Sequence, residues 1–218
     1  MKALPPVSRR PNRPAAFVAP ISEDRVEARL LAIAADHIRR FGAERVTVVS
    51  VAREAGMSHA NVYRFFPSKA GLIEAVVVAW ARSVEMILAD IASAPDPADD
   101  KLERFLTAWA RAQRDGLDRD PIIYATFASL WEARRDTIMA HRARLRGFLA
   151  AIVDEGLEPG PFRVKDEERA VAFVSDAMQR FVHPALVTEM RDLPRQQVEQ
   201  RAGLLARVII RTLISGGV

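Results

Sequence analysis

TVVSVAREAGMSHANVYRFFPSKAGL, residues 47–72, reads as two short helices, a tight turn between them and the capped start of a third. Thr47 is placed to N-cap a helix over 48–55, its hydroxyl meeting a backbone N–H that the first turn leaves free. Gly56 follows, a residue that takes positive φ without a Cβ penalty, and ends that helix. Ser58 then caps a second helix running to about Phe65, so only Gly56 and Met57 separate the two. Val51, Ala52, Ala55 and Val62 supply apolar contact between them. Two helices joined this tightly form a helix-turn-helix, whose second helix enters the DNA major groove and offers its N-terminal side chains to base edges.

Upstream, Ser22 caps a helix whose Val26, Leu30, Ile33, Ala34, Ile38 and Phe41 recur at helical spacing, with Gly42 closing it. His37 lies on that apolar side and reads as a packed core residue. Downstream, Pro67 and Ser68 open a long helix carrying Leu72, Ile73, Val76, Val77, Trp80, Val84, Ile87, Leu88 and Ile91. That apolar face is too wide for one neighbour, so the helix should touch the helix-turn-helix head at its start and a second bundle further on. SAPDPADD, residues 93–100, ends it.

Beyond that break the pattern is helical throughout, with no alternating strand and no internal repeat. One helix carries Leu102, Phe105, Leu106 and Trp109 and ends near Gly116; another starts at Asp120-Pro121 with a cap and a first-turn proline. A third spans Met139 to Val153 and stops at EPGP. Asp166 caps a fourth, interrupted near Pro184, and the last runs from Pro194 to Gly216-Gly217. The expected fold is all-α: an N-terminal three-helix head (22–71), preceded by a flexible basic arm (1–21) and joined by the long helix to a C-terminal helical bundle (72–218).

AREAGMSHANVYRFFPSKAGL resembles the DNA-binding segment of the tetracycline-repressor family of transcriptional regulators. Thr47, Ala52, Ala55-Gly56, Ser58, Tyr63, Phe66 and Ser68-Lys69 carry the resemblance, which covers roughly residues 22–80. Two positions depart from it. Asn61 stands where the family often has Thr or another small residue, so operator preference does not transfer. Gly71 stands where many members have a Glu completing a capping box with Ser68, and this should weaken that helix start. The resemblance implies a homodimer, operator DNA as partner and a small-molecule effector in the C-terminal bundle, with no cofactor.

Base readout needs short side chains with directed donors or acceptors, and His59, Ala60 and Asn61 follow the Ser58 cap in that place. Asn bonds bidentately to adenine, and Ala can touch a thymine methyl; the other reading of Asn61 is a polar helix-surface residue. Tyr63 and Lys69 read as phosphate contacts, Lys69 beside the next helix N-terminus, with Arg64 and Thr47 at the same surface. Charge agrees: residues 1–71 hold 12 Lys and Arg against 6 Asp and Glu, whereas the whole chain's formal charge is only +4. The positive excess therefore sits at one end. The arm has five prolines, four basic residues and no acids; it reads as a phosphate or minor-groove contact or as a solvated tail.

In the bundle, Trp80, Trp109, Phe127 and Trp131, with Tyr124, Met139 and Met178 nearby in pattern, fit either a ligand site or plain core. Phe173, Ala177, Phe181, Leu205 and Ile209 on the fourth and last helices are the expected dimer face, because both segments carry more apolar surface than one protomer needs. A constitutive DNA binder without effector is one alternative. A helical metal-dependent enzyme using Asp99, Asp100 and Glu103 is another, but these sit at a helix start, where Asp favours the dipole, and no second acidic motif accompanies them. Ser175, Asp176 and His183 share one segment and make no triad; no catalytic residue or metal site is assigned. Cys is absent, which fits a reducing cytoplasm. No apolar run reaches the ~18 residues of a membrane span, and no secretory signal opens the chain.

Overall fold

Thr47, Ser58, Ser68 and Asp166 each start a helix by accepting a first-turn N–H, and Pro121 and Pro184 each fill a first-turn position that needs no donor. The computed structural model describes residues 23–157 and 159–218, so the basic arm and the Ser22 cap lie outside the described residues. Those residues form ten α-helices and one 3-10 turn: α1 Glu23–Phe41, the turn Ala43–Arg45, α2 Val48–Ala55, α3 His59–Phe65, α4 Lys69–Ala92, α5 Ala98–Arg119, α6 Pro121–Glu132, α7 Asp136–Gly156, α8 Glu167–Val182, α9 Pro184–Glu189 and α10 Arg195–Ser215. The all-α architecture expected from the sequence is the one found.

The head closes on a small core of Leu30, Ala34 and Ile38 from α1, Val51, Ala52 and Ala55 from α2, and Val62 from α3. Leu72 and Val76 of α4 and Ile123 of α6 complete it, so packed side chains run straight across residue 71. His37 is buried, as a core residue should be, but its ring nitrogens bond Glu54 Oε2 (2.7 Å) and Ser50 Oγ (3.2 Å) on α2. Phe41, expected to face inward, is 53% exposed among the described residues, at the end of α1.

α4 is the element that ties head to bundle. Its first half sits in the head's core, Val77 joins an aromatic cluster with Tyr124, Phe127 and Trp131, and Val84, Leu88 and Ala92 enter the large bundle core with α5, α7, α8 and α10. Ile87, expected on its apolar face, is exposed beside Met86. Across α4 and α7, Glu85 accepts from His141 Nδ1 (2.6 Å) and from Arg144 Nε and Nη2 (2.7 and 2.9 Å).

Two residues read as helix ends have other duties. Gly116 lies inside α5, which continues to Arg119; a Cβ there would stand 2.6 Å from Trp80 Cζ2 and 2.9 Å from Tyr124 Cδ2. It is a point of close helix approach, not a terminator. Asp120 makes no side-chain cap to α6. Its carboxylate is held by the Arg39 guanidinium at 2.7–3.0 Å, and a charge-assisted fork is the stronger partner. This pair bolts α1 of the head to the α5–α6 corner.

Candidate nucleic-acid interface and ligand cleft

The α2–α3 geometry follows from its caps. The Thr47 hydroxyl accepts from the Ser50 N–H at 3.0 Å, and the Ser50 hydroxyl accepts in return from the Thr47 N–H at 3.3 Å, a reciprocal box that the sequence reading had missed. Gly56 takes the left-handed conformation (φ 66°, ψ 31°) and ends α2. Ser58 accepts from the Asn61 N–H at 3.3 Å and starts α3. Val62 and the following Phe66 are buried and fix the inner face of α3. The opposite face is therefore free: His59, Ala60, Tyr63 and Arg64 are exposed and Asn61 is half-buried.

Thr47 and Ser58 are also exposed at the same surface. Arg64 reaches Glu23 at the start of α1 (3.4 Å), while the Lys69 ammonium donates to the Glu44 carbonyl of the 3-10 turn. That bond uses one of three ammonium hydrogens and clips the start of α4 to the turn before α2. Despite Gly71, Ser68 still caps α4, its hydroxyl accepting from the Gly71 N–H at 3.0 Å; only the Glu half of the box is missing.

The bundle holds a cleft of about 390 Å³ between α5, α6, α7 and α8. Trp109 and Trp131 form part of its wall with Met139, Leu149 and Val182. Phe127 lies behind that wall, its ring 5.6 Å from Trp131, and Trp80 stands further off, edge-on to Phe127 at 4.7 Å and bordering the crevice between α1, α4 and α6. The structure thus brings two of the four expected ligand residues to the cleft. His183, Arg142, Arg146 and Asp176 also line it; the sequence offers Asp176 and His183 only as members of a rejected triad and gives no signal for the two arginines, since polar residues on helix faces look alike until the neighbouring helices are placed.

On the expected dimer face, Phe173, Ala177 and Leu205 are partly exposed, but Phe181 and Ile209 are buried within their own bundle. The rotation of α10 puts Ile209 into the core and turns Leu204 (59% exposed) and Val208 (49%) outward instead. The acidic cluster does not converge: Glu103 faces Arg207 of α10 at 3.3 Å, and no group of three or more His, Asp or Glu among the described residues could hold a metal. No helix among them is long and apolar enough to cross a membrane.

Two family models match the sequence. Residues 30–76 match that of bacterial regulatory proteins of the tetR family, and residues 98–202 that of the tetracyclin repressor-like C-terminal domain. No curated protein matches the chain. Among solved structures, the TetR family transcriptional regulator PfmR from Thermus thermophilus is 24% identical with a TM-score of 0.58, over 84% of this chain and 97% of that one. A TetR/AcrR family regulator from Thermobifida fusca is 16% identical with a TM-score of 0.66, over 86% and 97%. RolR in complex with its ligand resorcinol is 19% identical with a TM-score of 0.56, over 87% and 88%. At these identities the structures share the fold.

Proposed function

Since the chain belongs to the tetracycline-repressor family of DNA-binding transcriptional regulators, we propose that it acts as a homodimeric repressor that leaves its operator when a small molecule fills the bundle cleft. The observation that carries this reading is α4: a single helix with Leu72 and Val76 in the head's core and Val84 and Leu88 in the bundle's core. A displacement of the bundle end of α4 is transmitted to the head because both ends are packed. The effector need only bind the released arrangement better than the DNA-bound one; a hundredfold loss of operator affinity corresponds to about 2.7 kcal/mol of coupling.

Recognition falls to the outer face of α3. His59, Ala60 and Asn61 read base edges, with Thr47, Ser58, Tyr63, Arg64 and Lys69 on phosphates. One seven-residue helix reads too few base pairs for regulation, so two copies are needed, and Leu204 and Val208 with Phe173, Ala177 and Leu205 offer the apolar face for pairing. The two recognition helices should then lie about 34–36 Å apart on DNA. The chain works in the cytoplasm, where its DNA is. The resorcinol in RolR supports a small organic effector here.

The test is fluorescence anisotropy on DNA from the protein's own upstream region. Asn61→Ala should change preference at one position by about 1–3 kcal/mol. Lys69→Ala should weaken all sequences alike and lower the salt slope by about one unit. Equal weakening of every site by Asn61→Ala would remove the base-reading role.

A further inference from the structure

The two ends of the cleft differ in chemistry. Its floor is buried and aromatic or aliphatic: Trp109, Trp131, Leu149 and Val182. Its rim is exposed and carries two guanidinium groups, Arg142 and Arg146, against one carboxylate, Asp176. Arg146 is engaged with Glu168 at 3.7 Å. Arg142 pairs with no carboxylate among the described residues and lies 4.7 Å from the centroid of the Trp131 ring.

Two N–H groups of the lining residues have no acceptor among the described residues. The Trp109 indole N–H is buried and has no hydrogen-bond partner among the described residues. The Trp131 indole N–H donates to His183 Nε2 at 3.1 Å. An indole N–H only donates, so Nε2 accepts and the ring proton sits on Nδ1. His183 Nδ1 is itself buried without a partner among the described residues. The two unmet N–H groups can take any acceptor that enters the cleft, whereas the unpaired Arg142 guanidinium at its rim calls for an anion. A hydrocarbon would leave the Arg142 guanidinium without an anion, and a cation would meet a rim with more guanidinium than carboxylate.

We propose that the cleft takes a small aromatic carboxylate, its ring against Trp109 and Trp131 and its carboxylate at Arg142. The volume of about 390 Å³ falls within the roughly 300–1,000 Å³ of small-molecule sites. The charged end stays at the hydrated rim, where its desolvation cost is small, and the ring displaces water from the aromatic floor. This rests on the effector reading above and specifies the class of effector.

Calorimetric titration of the full-length protein with naphthoate, its methyl ester and naphthylmethylamine tests it. Naphthoate should bind, and the ester should bind about tenfold more weakly or worse. Arg142→Gln, at an exposed position that leaves the core untouched, should weaken naphthoate about tenfold and leave the ester unchanged. An ester or amine that binds as well as the acid overturns the proposal, as does the absence of binding by all three at about millimolar concentration. DNA binding of the same preparation is measured separately. Naphthoate binding by a protein that does not bind DNA, or that keeps its DNA when loaded, would sink the repressor reading and leave the ligand class standing.

Discussion

Gly116→Ala and Gly147→Ala are the same substitution on neighbouring helices, α5 and α7, and the structure gives them opposite signs. In an open helix interior, Ala is more stable than Gly by about 0.5–1 kcal/mol. Around Gly147 nothing among the described residues lies within 4 Å of the added Cβ, so that gain should appear in full. At Gly116 the Cβ would stand 2.6 Å from Trp80 and 2.9 Å from Tyr124, about 1 Å inside normal carbon contact. Neither ring is free to give way. Trp80 is wedged against Phe127 at 4.7 Å, and Tyr124 is held by its hydroxyl donating to Gln113 Oε1 at 2.9 Å. Overpacking of this kind costs about 1–3 kcal/mol, which outweighs the helical gain and leaves Gly116→Ala destabilised by about 1–2 kcal/mol. Urea and thermal unfolding of the full chain at matched concentration, followed by far-UV circular dichroism, measures both. With about 2–4 °C per kcal/mol for a chain of this size, the two melting points should move apart in opposite directions. Stabilisation of Gly116→Ala equal to that of Gly147→Ala would refute the close approach of α4, α5 and α6.

Leu204→Asp should convert the proposed dimer to a folded monomer by light scattering, whereas Ile209→Asp and Phe181→Asp should unfold the protomer, because those side chains are buried; a dimeric Leu204→Asp protein removes that face from the interface. Acid should destabilise the α4–α7 junction. Burial pushes the His141 pKa down, which Glu85 only partly counters, and burial raises that of Glu85 by less than the bonds from Arg144 and His141 lower it. In both cases the unfolded chain takes up protons more readily, so stability from this site is intact above about pH 6.5 and falls as pH drops, first through His141 and then through the carboxylate range. Thermal melts from pH 8 to about 5 should show the loss, and His141→Gln should flatten it; an unchanged slope in that variant would place the titration elsewhere.

The head was legible because its signals are local. Thr47, Gly56 and Ser58 each act on backbone within four residues, and the helix bounds over 48–65 follow from them. The bundle was legible as helices but not as surfaces. Asp120 looks like a cap until Arg39, distant in sequence, arrives to take its carboxylate. Gly116 looks like a helix end because a glycine kept for close approach and one kept for positive φ are the same letter. Ile209 and Val208 are adjacent and equally apolar, and only the seating of α10 decides which of them faces inward. The same holds for the aromatic set: Trp109 and Trp131 line the cleft while Trp80 and Phe127 stand behind or beside it. His183 enters the site through Trp131, a partner far along the chain.

Selection of binding sites from a pool of random duplexes by the full-length protein, without effector, tests the central claim most directly. A dimer reading DNA through two copies of α3 should enrich a two-fold symmetric motif, its half-sites centred about 10 base pairs or one helical turn apart. Asn61→Ala should shift the enriched base at one symmetric pair of positions and leave the spacing unchanged. Enrichment of no motif, or of an asymmetric motif indifferent to Asn61, would contradict it.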